Sequence, residues 1–247
     1  MYTDCEGLIL RQTRILNGRR MIVLFTKKYG KISAGTSISE RGKNKSSLAL
    51  RPFTFGKYEL YKNRDSFNIN GAETVKSYYS LGEDVDKYMT ASYALELIDN
   101  IVPEDQPAAA MFDLTENFLS NLETRKGAYD TLLAAFLLKV LALSGSAPDI
   151  KACMNCGKTD GKMYFSVADG GLICGECISS QNKLNPLIFE LPDGIINAIR
   201  YMEAYPLQKL EGLALEDEHE KLLLRILKRY LAFHFGIENL KSEGLKI

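Results

Sequence analysis

The sequence predicts an α+β protein of more than one domain: a small β-barrel, then a helical bundle, with a metal-binding ribbon inserted between helices of the bundle. Three observations carry the prediction. Short strands and tight turns occupy residues 6–75, helical periodicity follows residue 82, and two Cys-x-x-Cys pairs lie within the helical part. We therefore predict domains at 1–82 and 83–247, with the ribbon at about 150–180.

The first domain is predicted to be a five-stranded barrel of the OB type with no helix between its strands. Asn17-Gly18 and Tyr29-Gly30 supply tight turns, because asparagine and glycine accept positive φ. The strand candidates lie in GLILR, RRMIVLFT, KISAGTSI, SLALRPFTFGKYELYKN and FNINGAETV. Alternation sends one set of side chains to one face and a second set to the other: Phe53, Phe55, Lys57, Glu59 and Tyr61 against Thr54, Tyr58 and Leu60.

The formal net charge of zero hides an uneven distribution. Residues 1–82 hold 15 Lys and Arg against 6 Asp and Glu, a net of +9, whereas residues 83–247 hold 16 against 25, a net of −9. A basic barrel predicts an anionic partner, for which nucleic acid is the obvious candidate. A basic surface that is merely solvated is the alternative.

A groove that binds single strands needs cations for the phosphates and flat rings for the bases. Basic residues of the barrel lie in or beside its turns, and aromatic residues are interleaved with them. Tyr29 and Tyr61 are the rings that we expect to be exposed, since both lie beside charges and turns. The predicted DNA-binding residues are Arg11, Arg14, Arg19, Arg20, Lys27, Lys28, Tyr29, Lys31, Arg41, Lys43, Lys45 and Tyr61.

Beyond residue 82 the apolar residues recur with a period of 3.6. The segment 129–143 is apolar on nearly all faces, so it should be the central, buried helix of the bundle. Gly236 is a natural C-cap for the last helix. Helices are predicted over residues 84–100, 111–122 and 129–143, from Pro192 and Asp193 onward, and over about 216–235.

The four cysteines Cys153, Cys156, Cys174 and Cys177 have the spacing of a zinc ribbon. Each pair can converge from one tight turn, and four thiolates complete a tetrahedral shell that leaves no position for water. One structural zinc ion is therefore the favoured interpretation, with catalytic zinc and dithiol redox chemistry as alternatives. Gly157 and Gly175 should supply positive φ at the knuckles, and residues 169–171 should turn a hairpin between them.

The remaining features predict no catalytic site. His219 and His234 both lie on the last predicted helix, where a packed or cap-bonded histidine is the simpler interpretation. Phosphate loops, dinucleotide fingerprints, nucleophile elbows and zinc-protease motifs are absent from the sequence. With one cysteine outside the cluster and no long apolar run, we expect a cytoplasmic protein in a reducing compartment.

Taken in order, these pieces resemble the RecO family of bacterial recombination mediators. The resemblance covers the whole chain and includes LFTKKYGKISAGTSISERGKNKSS, PFTFGKYELYKN, the knuckles CMNCG and CGEC, and HFGIENLKS. It implies a non-enzymatic, nucleoid-associated protein that binds single- and double-stranded DNA, anneals complementary strands and helps load recombinase onto gaps covered by single-strand DNA-binding protein.

The resemblance also implies two protein partners: a RecR-like protein and the acidic carboxy-terminal tail of the single-strand DNA-binding protein. Cations beside an apolar pocket would suit such a tail, and the candidates are Arg125, Lys126, Tyr129, Leu132, Phe136 and Lys139. Two other functions stay open at this point. One is a zinc-ribbon interaction or regulatory module without DNA annealing, and the other is a nucleic-acid-processing enzyme with metal-dependent turnover.

Overall fold

The computed structural model describes residues 1–15, 19–39, 45–64, 66–178 and 185–245. The chain divides into two compact units, Met1–Glu123 together with Leu240–Ile247, and Thr124–Asn239. The first unit therefore extends past residue 82, where we placed the domain boundary. The predicted Asn17-Gly18 turn lies outside the described residues, as do Arg41 and Lys43.

The predicted five-stranded barrel is confirmed. Its strands close in the order β1-β2-β3-β5-β4, and all neighbours are antiparallel except β3 and β5, which pair in parallel over two residues. Gly30 has a φ of +70° at the turn between β2 and β3. The strands are β1 (Tyr2–Arg14), β2 (Arg20–Thr26), β3 (Gly30–Thr36), β4 (Thr54–Lys62) and β5 (Phe67–Ser77).

Strand β4 alternates as predicted: Thr54, Tyr58 and Leu60 are buried, whereas Lys57 and Glu59 are exposed. The strand begins later than predicted, however, because α1 (Lys45–Ala49) is a short helix that overlaps the start of the segment SLALRP. Two tertiary contacts explain this error. The Tyr58 hydroxyl donates to the Ala49 carbonyl at 2.9 Å, and Leu50, fully buried, joins the barrel core.

Two helices belong to the first unit together with the barrel: α2 (Val85–Ile101) and α3 (Ala109–Thr124). The Asp84 side chain caps α2 by accepting from the backbone N–H of Asp86 at 2.9 Å and of Lys87 at 3.0 Å. On α3, Phe112 packs against Phe25 and Phe55 with ring centroids 5.4 and 6.1 Å apart. These two helices group with the barrel, whereas we predicted them in one bundle with the later helices.

The C-terminal segment returns to the first unit, which the sequence did not indicate. Residues Lys241–Leu245 form a 3₁₀ helix beside α2, and both Glu96 carboxylate oxygens accept backbone N–H groups, from Lys241 and Ser242, at 2.9 Å each. Burial would raise the pKa of Glu96, but these two N–H donors outweigh it and lower the pKa below its ordinary value.

The second unit is built around α4 (Tyr129–Leu143), whose bounds are those predicted. Ten of its fifteen residues are buried, which confirms it as a core helix. It packs against α6 (Asp193–Ala204) and α7 (Asp217–Phe235), and Gly236 ends α7 in the left-handed conformation, as predicted. Between α4 and α6 lies the ribbon: β6 (Met163–Ser166), β7 (Gly171–Cys174), α5 (Gly175–Ile178) and β8 (Ile188–Leu191).

Among the described residues, no helix has both the length and the apolar character needed to cross a membrane.

Candidate metal centre and nucleic-acid interface

The four ribbon cysteines meet at one point. Their Sγ atoms all lie within 4.8 Å of one another, and the Sγ atoms of Cys156 and Cys174 are 3.6 Å apart. In a tetrahedral site with zinc–sulfur bonds of about 2.3 Å, neighbouring sulfurs are about 3.8 Å apart, so this spacing suits a metal ion. The cluster can bind a metal ion. Of the cysteine, histidine, aspartate and glutamate side chains among the described residues, these four cysteines meet this geometry.

Two backbone turns present these sulfurs. At the first knuckle the Gly157 N–H donates to the Cys153 carbonyl at 2.8 Å, and Gly157 has the predicted positive φ, +75°. At the second, Gly175 was wrongly assigned a positive φ: it starts α5 instead, and its N–H donates to the Lys162 carbonyl at 2.8 Å. A helical turn brings Cys177 round to Cys174, so no left-handed residue is needed there.

The surroundings of Cys153 favour a thiolate. Burial would raise its pKa, but backbone N–H groups of Cys174, Cys156 and Asn155 direct their hydrogens at the sulfur and lower the pKa to about 6. The Cys174 N–H is 3.3 Å from this sulfur. Backbone donors of this kind stabilise the negative charge that a sulfur carries as a metal ligand.

The ribbon also gains a third strand that the sequence analysis missed. Strand β8 pairs with β6 antiparallel, with Phe165 opposite Phe189. Its sequence, Ile-Phe-Glu-Leu, alternates too briefly to stand out without the partner strand. His234 has the packing role expected for it: its Nε2 donates to the Val167 carbonyl at 2.7 Å, and its ring lies 4.2 Å from that of Tyr230.

Several predicted DNA-binding cations already have partners inside the first unit. Arg20 is 3% exposed and donates to the Gln12 side chain at 2.8 Å and to the Ile38 carbonyl at 2.7 Å, so its inclusion as a surface residue was an error. Lys31, 8% exposed, lies against Asp99 of α2, which also pairs with Arg11. Lys27 pairs with Asp113 of α3 at 2.7 Å. Acidic residues of α2 and α3 therefore neutralise Arg11, Lys27 and Lys31 of the barrel.

The other described cations of the set, Arg14, Arg19, Lys28 and Lys45, are exposed. Arg14 ends β1, Arg19 precedes β2, Lys28 lies in the β2–β3 turn, and Lys45 begins α1. The Ile15 N–H donates to the Arg19 carbonyl at 2.9 Å. These residues are spread along the barrel rather than gathered at one point.

One end of the barrel collects aromatic rings and cations, and we call it the aromatic end: Tyr2, Lys28, Tyr29, Tyr61, Lys62 and Phe67. Tyr2 pairs with Tyr61 across β1 and β4, and their ring centroids are 5.0 Å apart. Tyr2 is 72% exposed, and Tyr61 is partly exposed. The sequence analysis missed Tyr2, because its position opposite Tyr61 follows from the strand register alone.

We expected Tyr29 to be an exposed ring, but it packs against this end of the barrel. Its ring lies 5.5 Å from that of Phe67 and packs against the barrel core. Its hydroxyl is 2.9 Å from Thr3 Oγ1, and the Lys28 ammonium is 5.0 Å from its ring centroid. The Lys62 ammonium lies at the same distance from the Phe67 ring. Cations thus stand over the Tyr29 and Phe67 rings, at the same end of the barrel as Tyr2 and Tyr61.

Two of the six residues predicted to bind an acidic tail lie in the core. Leu132 and Phe136 are 1% and 0% exposed in the core of the second unit, so they line no open surface. Tyr129 and Lys139 are partly buried, and Lys126 is exposed. Arg125 is occupied: its guanidinium donates to the carbonyls of Gly127 at 2.8 Å and Ala128 at 3.2 Å, and to three more in the segment 210–213.

Arg125 therefore holds the segment after α6 beside the start of α4, and its loss should destabilise the second unit. We expect Arg125→Ala to lower the free energy of unfolding by about 2–3 kcal/mol. Removing the charged guanidinium leaves the carbonyl groups that it binds without hydrogen-bond partners. Urea unfolding followed by circular dichroism measures this. Lys126→Ala, an exposed cation one residue on, is the matched control and should change stability by less than about 0.5 kcal/mol. Equal stability of both variants would contradict the structural role.

Comparison with known proteins matches nearly the whole chain to one protein family. Family models match residues 1–78 (Recombination protein O N terminal) and residues 82–244 (Recombination protein O C terminal). The chain is 30% identical to the DNA repair protein RecO of Alkaliphilus metalliredigens, over 98% of this chain and 97% of that protein. It is 28% identical to the protein of the same name from Pelotomaculum thermopropionicum, over 96% of this chain and 90% of that one. The chain therefore belongs to the RecO family of DNA repair proteins.

Proposed function

We propose that this protein is a non-enzymatic recombination mediator that binds single- and double-stranded DNA, anneals complementary strands and helps load recombinase onto gaps covered by single-strand DNA-binding protein. The observation that carries the proposal is the aromatic end of the barrel. At that end lie the Tyr2 and Tyr61 rings, and the ammonium groups of Lys28 and Lys62, which stand over the Tyr29 and Phe67 rings. Rings for bases and cations for phosphates are what a single strand requires.

Such a surface supports annealing for a simple geometric reason. In this arrangement Tyr2 and Tyr61 would stack on the faces of bases, and the lysines would bind the phosphates. The Watson–Crick edges of the bound strand therefore stay free to pair with a second strand. Since every base has an aromatic face and every nucleotide has a phosphate, we expect little sequence preference.

A zinc ion in the cysteine cluster would serve this function by folding the ribbon. Four thiolates from the two knuckles would hold it, and a closed shell of four sulfurs gives it no open position for chemistry. This assignment agrees with the sulfur spacing and with the backbone donors at Cys153. The ribbon would then be a fixed connection between α4 and α6.

The protein partners follow from the family and not from a site. We propose a RecR-like partner and the acidic tail of the single-strand DNA-binding protein, without assigning either to particular residues. The six residues first considered for the tail are no longer proposed, since Arg125, Leu132 and Phe136 have structural roles. Because the substrate is chromosomal DNA, we place the protein in the bacterial cytoplasm, at the nucleoid.

The test of the proposed function is the salt dependence of DNA binding. Fluorescence anisotropy of a labelled single-stranded oligonucleotide, titrated with the full chain, should show saturable binding. The logarithm of the affinity should fall linearly with the logarithm of salt, by about 0.7 for each phosphate neutralised. Single-stranded probes of unrelated sequence should bind alike at each salt concentration, and so should double-stranded probes of unrelated sequence. Absence of binding at low salt would refute the proposal.

A zinc-ribbon interaction module remains the second candidate, and one observation counts against the ribbon as a DNA surface. Its lysines are paired with its own acids: Lys158 with Glu176 and Lys162 with Glu190, each at 2.7 Å. The ribbon could still contact a protein. Under that alternative, DNA binding would be absent while the ribbon bound a protein partner.

A further inference from the structure

A row of carboxylates crosses the exposed face of the barrel that β1, β4 and β5 form. In the strand register, Asp4 lies opposite Glu59, Glu6 lies opposite Lys57, and Lys57 lies opposite Glu73. All five side chains are exposed. Four carboxylates and one ammonium give a net charge of −3, in a domain that is otherwise basic. We call these five residues the acidic band.

The acidic band separates the aromatic end from a second surface of the same unit. A cavity of about 550 Å³ lies beside α1, the start of β4 and the end of β5, and Lys45, Leu48, Arg51 and Tyr79 are among its lining residues. Tyr79 is 69% exposed and Leu48 43% exposed. Lys45 and Arg51 are also exposed, and within the described residues neither forms an ion pair. We call this surface the far cavity.

The two surfaces lie at opposite ends of β4. Thr54, the first residue of the strand, lines the far cavity, and Lys62, the last, belongs to the aromatic end. Eight steps along a strand, at roughly 3.3 Å each, place them about 25 Å apart. Tyr79 lies two residues beyond the end of β5, whose first residue Phe67 is at the aromatic end, so the β4–β5 hairpin gives the same separation.

We propose that the far cavity is a second contact for single-stranded nucleic acid, so that one barrel holds two strands with the acidic band between them. This inference rests on the proposed function of the aromatic end. At the far cavity, Tyr79 offers a ring for a base, Leu48 an apolar contact for its face, and Lys45 and Arg51 two cations for phosphates. Glu73 is the carboxylate at the border with the acidic band.

The band explains why two strands are expected and not one strand along the whole face. A phosphate backbone that ran from the aromatic end to the far cavity would pass four carboxylates within a few ångströms, and like charges repel. Two strands held at the two ends avoid this path. Holding both strands within about 25 Å would raise the effective concentration of one for the other toward the millimolar range, which favours annealing.

The number of strands bound by one chain tests this inference. Native mass spectrometry of the full chain, at low salt and with an excess of a thymine oligonucleotide of about eight nucleotides, is the direct measurement, since one OB barrel takes about 4–16 nucleotides. We expect complexes with two oligonucleotides per chain. The double variant Lys45→Glu, Arg51→Glu should hold one, and so should Tyr79→Ala combined with Leu48→Ala. All four side chains are exposed, so the fold should survive these changes.

The matched control reverses two exposed cations on α7, Lys221→Glu and Arg229→Glu, and should still hold two oligonucleotides. In addition, the far-cavity variant should anneal complementary strands about tenfold more slowly while its affinity for the first strand changes less than about twofold.

The outcomes separate the two proposals. A wild-type chain that never holds more than one oligonucleotide, or a far-cavity variant that still holds two, overturns the second contact and leaves DNA binding by the aromatic end intact. A wild-type chain that holds none overturns the proposed function itself. If the wild-type chain holds one oligonucleotide and an acidic peptide binds at the far cavity, the second contact is also overturned, because the cavity then serves a protein.

Discussion

Replacing Cys153 and Cys177 with serine should abolish metal binding and unfold the ribbon. Each knuckle loses one of its two thiolates, and two sulfurs cannot close a tetrahedral shell. Structural zinc contributes about 10–16 kcal/mol in small zinc domains, whereas whole domains are stable by only about 5–15 kcal/mol. The ribbon has three strands of only four residues each, so we expect the metal to supply much of its stability.

Two measurements check this expectation. Inductively coupled plasma mass spectrometry should find one zinc ion per wild-type chain and none in the variant. Limited proteolysis should cut the variant within residues 151–191. The matched control is Cys5→Ser, a change of the cysteine outside the cluster. Burial raises the pKa of Cys5 to about 12, so it stays a neutral thiol, and its loss should leave the zinc content at one. A metal-free variant whose ribbon resists protease would contradict the structural role.

Replacing Tyr2 and Tyr61 together with alanine should weaken single-strand binding by at least about 30-fold. Each base that loses its aromatic partner costs about 1–3 kcal/mol, and each 1.4 kcal/mol is a factor of ten. The salt slope should hardly change, since no cation is lost. Anisotropy titrations of the two proteins at three or more salt concentrations measure both quantities.

The second unit offers a matched control for this pair. Tyr201 and Tyr205 on and beside α6 are 42% and 41% exposed, and their ring centroids are 4.7 Å apart. Their double alanine variant removes the same kind of surface and should bind DNA as the wild type does. The variants Tyr2→Phe and Tyr61→Phe should also retain affinity, because stacking needs the ring and not the hydroxyl. Loss of binding in the α6 variant alone would move the DNA site away from the barrel.

Much of the architecture follows from local patterns in the sequence. The bounds of α4 and the C-cap at Gly236 both depend on residues that are close together along the chain. The alternation of β4 and the spacing of the cysteines are equally local. Periodicity, capping and metal-ligand spacing are properties of short segments, so the sequence indicates them without any knowledge of distant contacts.

Contacts between distant segments decided the rest. Helix α1 replaced a predicted strand because Leu50 and Tyr58 meet in the barrel core, and Arg20 became a buried residue through bonds to Gln12 and Ile38. Leu132 and Phe136 lie in the core and not in a pocket, because α4 is covered by α6 and α7.

By itself, the sequence determined the barrel, the helices, the cysteine cluster and the basic character of the first 82 residues. The tertiary structure decided which of the basic and aromatic residues remain available. Strand register placed Tyr2 beside Tyr61 and aligned Asp4 with Glu59, and α2 supplied Asp99 to neutralise Arg11 and Lys31. The physical reason is that composition fixes how many charges and rings a domain has, whereas only long-range pairing fixes which of them meet each other and which face solvent.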